Sequence, residues 1–293
     1  MKNKMNRQIP GWVKKRVTCN ENYSRTRAVL KELSINTVCE SAVCPNIYEC
    51  FCKNYASFMI LGNRCTRDCR FCGVDHLSAA ASAPDDPGEP AKIAEAVREM
   101  AMEYVVITSP TRDDLPDGGA SQFAAVAELI RKENPSVKVE LLIPDFRGNT
   151  ESLKKVIDAK PCIISHNIET VERLYPSIRP SSCYDTSMNV LREIKKNGIK
   201  TKSGFMLGLG EKESEVMDLM SRIRETGCDY LVIGQYLKPS KQAVDVVEYI
   251  HPDIFKKIEK AGKQIGFENV FAGTFYRSSY FAEQLIEGKN GCR

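Results

Sequence analysis

An α/β chain folded as a partial (β/α)6 barrel, with N-terminal and C-terminal extensions covering its site, is what this sequence predicts. Three observations predict it. Six short runs rich in Val, Ile and Leu alternate with segments of helical spacing, the pattern of a parallel sheet with crossover helices. Polar residues collect directly after each run, where the site of such a barrel lies. Cysteines crowd beside the first run, seven of the chain's twelve falling between Cys39 and Cys72.

Asn22 to Leu33 has helical spacing through Ala28, Val29 and Leu33 and leads into the first cysteines. Ala56 to Gly62 is a short apolar run that predicts a buried strand, so the cysteines after it lie on the loop leaving that strand. Ala79 to Pro90 is a loop by its Ala, Ser, Pro, Asp and Gly content, and a helix from Glu89 or Pro90 to Met102 follows. Strands are then predicted at Tyr104 to Thr108, Lys138 to Ile143, Cys162 to Ser165, Lys200 to Leu207 and Asp229 to Gly234. The helices between them are Gly119 to Glu133, Thr150 to Ala159, Glu169 to Tyr175 with Tyr184 to Asn197, Glu213 to Thr226, and Pro252 to Ile265, the last opening on proline. The boundaries expected are an extension over 1–52, a barrel over 53–266 and an extension over 267–293.

Composition narrows the function. At 293 residues the chain can bury a large core as a single barrel. Lys and Arg number 42 against 38 Asp and Glu, a net charge of +4. That is far from the strongly basic balance of a protein devoted to nucleic acid. No run of about 18 apolar residues predicts a membrane span. Residues 1–17 carry six basic side chains and no acid, but Pro10-Gly11 interrupts them, so a basic arm is expected rather than a transit peptide. Tight local groups of cysteine in a long chain favour a reduced, cytoplasmic setting over disulfides.

The cysteines fall into two trios, Cys39-x4-Cys44-x5-Cys50 and Cys65-x3-Cys69-x2-Cys72. Thiolates this dense, with no histidine among them, favour iron–sulfur chemistry over zinc. A zinc knuckle stays open as the alternative, with His76 in reach as a fourth ligand of the second trio. Cys19, Cys162, Cys183, Cys228 and Cys292 have no partner at ligand spacing and read as simple thiols. Three ligands on a four-iron cube leave one iron open to a small molecule.

The Cys-x3-Cys-x2-Cys spacing resembles that of the radical S-adenosylmethionine (SAM) superfamily, and the whole motif set is similar to the lipoyl synthase family. The carrying stretches are Cys39 to Cys50, Phe58 to Cys72, Arg112 to Gly119, Leu142 to Gly148, Thr201 to Gly204, Ile233 to Leu237 and Arg277 to Tyr280, so the match runs from Pro10 to Tyr280. The resemblance implies a sulfurtransferase of lipoate biosynthesis that inserts two sulfur atoms, at C6 and C8, into an octanoyl group on a lysine of a lipoyl carrier protein. It implies two [4Fe–4S] clusters and two SAM molecules per product. One cluster, on Cys65, Cys69 and Cys72, would generate the 5′-deoxyadenosyl radical from SAM. The other, on Cys39, Cys44 and Cys50 with Ser278 as an oxygen ligand, would donate sulfur, and a hard serine oxygen suits a cluster that is dismantled.

Partners implied are a lipoyl domain of a 2-oxoacid dehydrogenase E2 or the glycine cleavage H protein, an electron donor such as flavodoxin or ferredoxin, and an iron–sulfur carrier protein. Nucleic acid and membrane are not implied. Gly118 and Gly119 open a helix where backbone amides can meet a carboxylate, and Asn167, Glu169, Lys202 and Gln235 stand near strand ends as cofactor contacts. Arg277 is expected beside the donor cluster and Ser279 as the lesser ligand. Gly208-Leu-Gly210 lacks the GxGxxG register of a nucleotide fingerprint. Cys52, Ser165 and Thr274 to Tyr276 depart from the family pattern without touching an expected ligand. Arg64, Arg67 and Arg70 read as a cationic group able to steer an acidic carrier.

Overall fold

A computed structural model describes residues 9–17, 20–76 and 86–287. Cys19, Cys292 and most of the loop expected from Ala79 lie outside the described residues. In chain order the elements are α1 (Glu21–Glu32), β1 (Asn36–Thr37), α2 (Val38–Ser41), α3 (Ile47–Cys52), β2 (Ser57–Met59), β3 (Arg64–Cys65), β4 (Asp75–His76), α4 (Glu89–Glu99) and β5 (Tyr104–Thr108). There follow α5 (Ala120–Glu133), β6 (Lys138–Leu142), α6 (Thr150–Asp158), β7 (Ile163–Ser165), α7 (Tyr175–Ile178), α8 (Tyr184–Lys196), β8 (Thr201–Leu207), α9 (Glu213–Glu225) and β9 (Tyr230–Gln235). The last elements among the described residues are α10 (Pro252–Ile265), β10 (Asn269–Gly273) and α11 (Ala282–Glu287).

The eight strands β1-β2-β5-β6-β7-β8-β9-β10 form one sheet in that order, parallel except for β1 against β2. The six predicted strands are its consecutive middle members, and the architecture is the expected open, partial barrel. β10 was not expected: its apolar run is only Val270 to Ala272, too short to announce a strand, yet it pairs with β9 along its whole length. The C-terminal extension therefore begins by completing the sheet and leaves it only after Gly273.

Alternation along the strands sorts side chains to two faces. Val105 and Ile107, Val139 and Leu141, and Leu231 and Ile233 face outward, in the two large cores shared with the surrounding helices. Tyr104 and Val106, Ile163, Tyr230, Val232 and Phe271 face the concave side. That side is filled by α11, whose Ala282, Leu285 and Ile286 pack on them. Helix ends follow from local chemistry: Asn149 caps α6 by accepting from the amides of Glu151 and Ser152. Gly266, at φ 103°, closes α10 in the left-handed conformation that only glycine adopts without strain.

Candidate active site

The loop carrying the second trio leaves β2 at the mouth of the barrel, and its thiols face one another: Cys65 and Cys69 raise Cys72 electrostatically, and Cys65 raises Cys69. Burial is the larger cause in both cases and pushes the Cys72 thiol up to about 12. Backbone amides point at the sulfurs, those of Arg67 and Thr111 at Cys65 (3.4 and 3.3 Å) and that of Val74 at Cys72 (3.5 Å). Arg179, buried, hydrogen-bonds Cys69 and lowers it against the desolvation. These donors are the means by which a protein stabilises sulfur carrying negative charge.

Arg67 fixes the loop. Its guanidinium, 4% exposed, donates to Asp113 (2.8 and 3.0 Å), Asp145 (2.7 and 2.6 Å) and Ser182 (3.2 Å). Every N–H it owns is thereby used. Burial alone would raise the Asp145 carboxyl, but Arg67 outweighs it and holds the group at about 2. This corrects the reading of Arg67 as part of a steering patch: only Arg64 and Arg70 are exposed. His76 does not join the sulfurs; its Nδ1 meets the Arg67 carbonyl at 2.7 Å.

The first trio lies on two short helices that the cysteine spacing hid, Cys39 on α2 and Cys50 on α3, with Cys44 between them. The three line one cavity with Asn46, Ser57, Tyr104, Arg277, Ser279 and Tyr280 among its walls. Burial pushes Cys39 up to about 12 and raises Cys50 further, and Cys44 adds to both. The C-terminal segment is clamped over this cavity. Asn46 donates to the Phe275 carbonyl (2.7 Å), Lys15 bonds Asn46 (2.6 Å) and Glu49 (2.7 Å), and the Tyr280 hydroxyl donates to Glu49 (2.8 Å).

Arg277 lines the first trio's cavity. Burial pulls its guanidinium below the usual value, opposed by its neighbours Cys44 and Glu169. Glu169 in turn faces Cys69 and Cys72. Its own carboxyl is raised by burial and countered by Arg179, then by Asn167 and Arg277. Glu169 is thus an electrostatic neighbour both of Arg277, which lines the first trio's cavity, and of Cys69 and Cys72.

Other expected residues are elsewhere employed. Ser278 turns its hydroxyl to Asn167 Oδ1 (2.7 Å), while Ser279 is among the residues lining the first trio's cavity. Lys202 is no mouth residue: it is 1% exposed and ion-paired to Glu140 on the concave face. Gln235 spends its amide on the carbonyls of Leu207, Tyr236 and Glu248, and its oxygen accepts from the Ile250 amide. The Gly118 and Gly119 amides already donate to the Leu115 carbonyl and to Asp117 Oδ1. Asn167 and Glu169 remain beside the second trio. Arg179 was missed; nothing in its local sequence sets it apart from a surface cation.

The donor sets fit iron–sulfur clusters. Each trio offers three thiols with no histidine among them, a donor set of iron–sulfur rather than zinc character. All ten described cysteines are free thiols. Ser109 Oγ and His166 Nε2, directly after β5 and β7, are buried without a partner, polar atoms suited to a polar cofactor. No helix among the described residues is long and apolar enough to cross a membrane.

Residues 59–223 match the model of the radical SAM superfamily, and residues 1–44 match that of the N-terminal domain of lipoyl synthase. Lipoyl synthase of Caldicellulosiruptor saccharolyticus is 48% identical over 285 residues, 97% of this chain and 99% of its own. That of Caldanaerobacter subterraneus subsp. tengcongensis is 49% identical over 277 residues, 94% and 95% of the two chains. Among solved structures, methylornithine synthase superposes with a TM-score of 0.55 at 12% identity, covering 92% of this chain and 94% of its own. The hydrogenase maturase HydG of Carboxydothermus hydrogenoformans reaches 0.60 at 16% identity over 79% and 56%. The structural likenesses establish the fold alone, and the sequence relatives carry the rest: the chain belongs to the lipoyl synthase family of the radical SAM superfamily.

Proposed function

We propose that Cys65, Cys69 and Cys72 hold the cluster that binds SAM, and that Cys39, Cys44 and Cys50, with the Ser279 hydroxyl, hold a second, sulfur-donating cluster. The family's reaction is the insertion of two sulfur atoms at C6 and C8 of an octanoyl chain carried on a lysine of a lipoyl carrier protein. When bound, the first cluster and SAM supply a carbon-centred hydrogen abstractor, and the second cluster supplies sulfide. The chain's own residues bind and orient. Arg67 locks the second-trio loop to the loops after β5 and β6 through Asp113 and Asp145. Arg179 and the backbone amides favour the thiolate form. Asn167 and Glu169 offer acceptors for the amino and ribose groups of SAM, and Arg277 separates the two charged centres.

What supports this reading is that Arg277 lines the first trio's cavity and has Glu169 as an electrostatic neighbour, and that Glu169 is likewise a neighbour of Cys69 in the second trio. In this reading residues 1–52 bring the donor trio, 53–266 the radical-generating barrel and 267–293 the serine ligand. Arg64 and Arg70, exposed beside the mouth, suit an acidic carrier such as an E2 lipoyl domain or H protein. Flavodoxin or ferredoxin would supply electrons, and an iron–sulfur carrier protein would rebuild the donor. The test is iron and sulfide content of anaerobically prepared wild type beside the Cys39→Ala/Cys44→Ala/Cys50→Ala variant. Half the iron lost, with SAM cleavage retained and product sulfur abolished, is expected; unchanged iron or intact SAM overturns the assignment. Ser278→Ala and Ser279→Ala, compared by Mössbauer spectroscopy, decide which hydroxyl reaches iron.

A further inference from the structure

We infer that Lys202 is a positioning residue that aims Ser279 at the first trio by pinning the carbonyl of Ser278, an inference that rests on the reading of Ser279 as the serine facing the donor site. Lys202 shares the concave face of β8 with Gly204, whose neighbours across the gap are Ser278 Oγ and Asn167 Oδ1. A charge buried there is costly unless it is paired and fully bonded. Lys202 meets both conditions: Nζ lies 2.5 and 2.6 Å from the two Glu140 oxygens and donates its remaining bond to the Ser278 carbonyl at 2.8 Å. Its three donors are thereby used.

Glu140 is itself held in place. Oε2 accepts from the Tyr104 hydroxyl and Oε1 from Ser165 Oγ, each at 2.6 Å. Four adjacent strands, β5 to β8, therefore converge on one ammonium, and that ammonium leaves the sheet only through its bond to Ser278. The Ser278 carbonyl and the Ser279 amide belong to one planar peptide unit, so fixing the carbonyl fixes the direction in which the backbone enters Ser279. The Ser278 side chain is fixed as well, by Asn167. Of the two consecutive serines, one is pinned through both its carbonyl and its hydroxyl, and the other lines the cavity that Tyr104 also walls. The polar cluster and the donor cavity are thus neighbours, and the first sets the geometry of the second.

The test uses Glu140→Gln/Lys202→Met, which removes both charges together and leaves no lone buried ion, and Gly204→Ala, whose Cβ would lie 3.0 Å from Ser278 Oγ without touching the ion pair. Amide hydrogen exchange on the metal-free full-length protein should rise about tenfold or more in residues 277–281 in both variants, with β5 to β8 changed far less. Lys202→Arg, which keeps a cation and donors, should restore most of the protection. Unchanged exchange at 277–281 in both variants overturns the inference, and so does a rise spread equally over β5 to β8, which would make the network a brace of the sheet alone. On reconstituted protein the first variant should alter the Mössbauer signature of the first trio's iron as Ser279→Ala does and leave that of the second trio. If Ser279→Ala leaves the iron signature unchanged while exchange rises as expected, the ligand reading falls and the anchor stands. If exchange does not respond, the anchor falls whatever Ser279→Ala shows.

Discussion

Replacing Arg67 with methionine removes one cation from between two buried carboxylates and one cage from around the second-trio loop. Breaking a buried pair by deleting one partner costs about 3–5 kcal/mol, because the remaining charge is left uncompensated. Here the lower end applies. Asp113 keeps Arg147, an exposed partner at 3.2 Å, and Asp145 keeps the amide of Arg147 at 2.9 Å, so neither is stripped bare. A loss of about 3 kcal/mol at pH 7 is expected in urea unfolding of metal-free protein. The pH dependence has a definite sign. In the wild type Arg67 holds the Asp145 carboxyl at about 2 against a usual value of 3.8. That depression contributes about 2 kcal/mol, present above pH 4 and lost as pH falls towards 2. The variant lacks this contribution, so the two proteins should converge in stability below pH 4. Arg67→Lys should restore little, since a lysine ammonium cannot engage two carboxylates bidentately. A loss under about 1 kcal/mol at pH 7, or a gap that does not narrow in acid, would refute the reasoning.

His166 is buried, and burial holds its imidazole at about 4, so it is neutral in the fold and takes a proton below its usual 6.5 only when unfolded. Stability should therefore fall by about 2 kcal/mol between pH 7 and pH 5, and His166→Gln should abolish that part of the slope in urea titrations at the two pH values. Gly234→Ala drives a Cβ into the Tyr276 carbonyl oxygen and to 2.9 Å from Arg277 Nη1, so the C-terminal segment must move. A cost of roughly 1–3 kcal/mol is expected, with the first trio's iron lost and the second's retained on elemental analysis. Lys15→Met removes the half-exposed clamp on Glu49 and Asn46. It should cost no more than about 1 kcal/mol in thermal or urea unfolding while exchange rises around residues 275–280.

How far the sequence could be read depended on what each residue's neighbours were. β5 was legible to the residue because Tyr104 to Thr108 is buried on both faces and so is an unbroken apolar run. β10 was not, with Asn269 and Gly273 flanking three apolar residues and its pairing supplied by β9. The trios were legible as spacing, but the helices that carry Cys39 and Cys50 were not, since four and six residues are too few to show a period. Lys202 and Gln235 both sit lower in the fold than nearness to a strand end suggested, and strand parity shows why. Both were placed by nearness to a polar strand end, yet side chains alternate between faces. Gln235 has the parity of Leu231 and Ile233, which lie in the outer core, so it points away from the mouth and ties down the loop at Glu248 and Ile250. Lys202 has the concave parity but stands at the second residue of β8, below the mouth, where only Glu140 and the returning C-terminal segment can meet it. Position along the strand and parity across it must both be read before a polar residue is given to the mouth. By that rule Asn167 and Glu169, just beyond the end of β7 and beside the second trio, are the two that qualify.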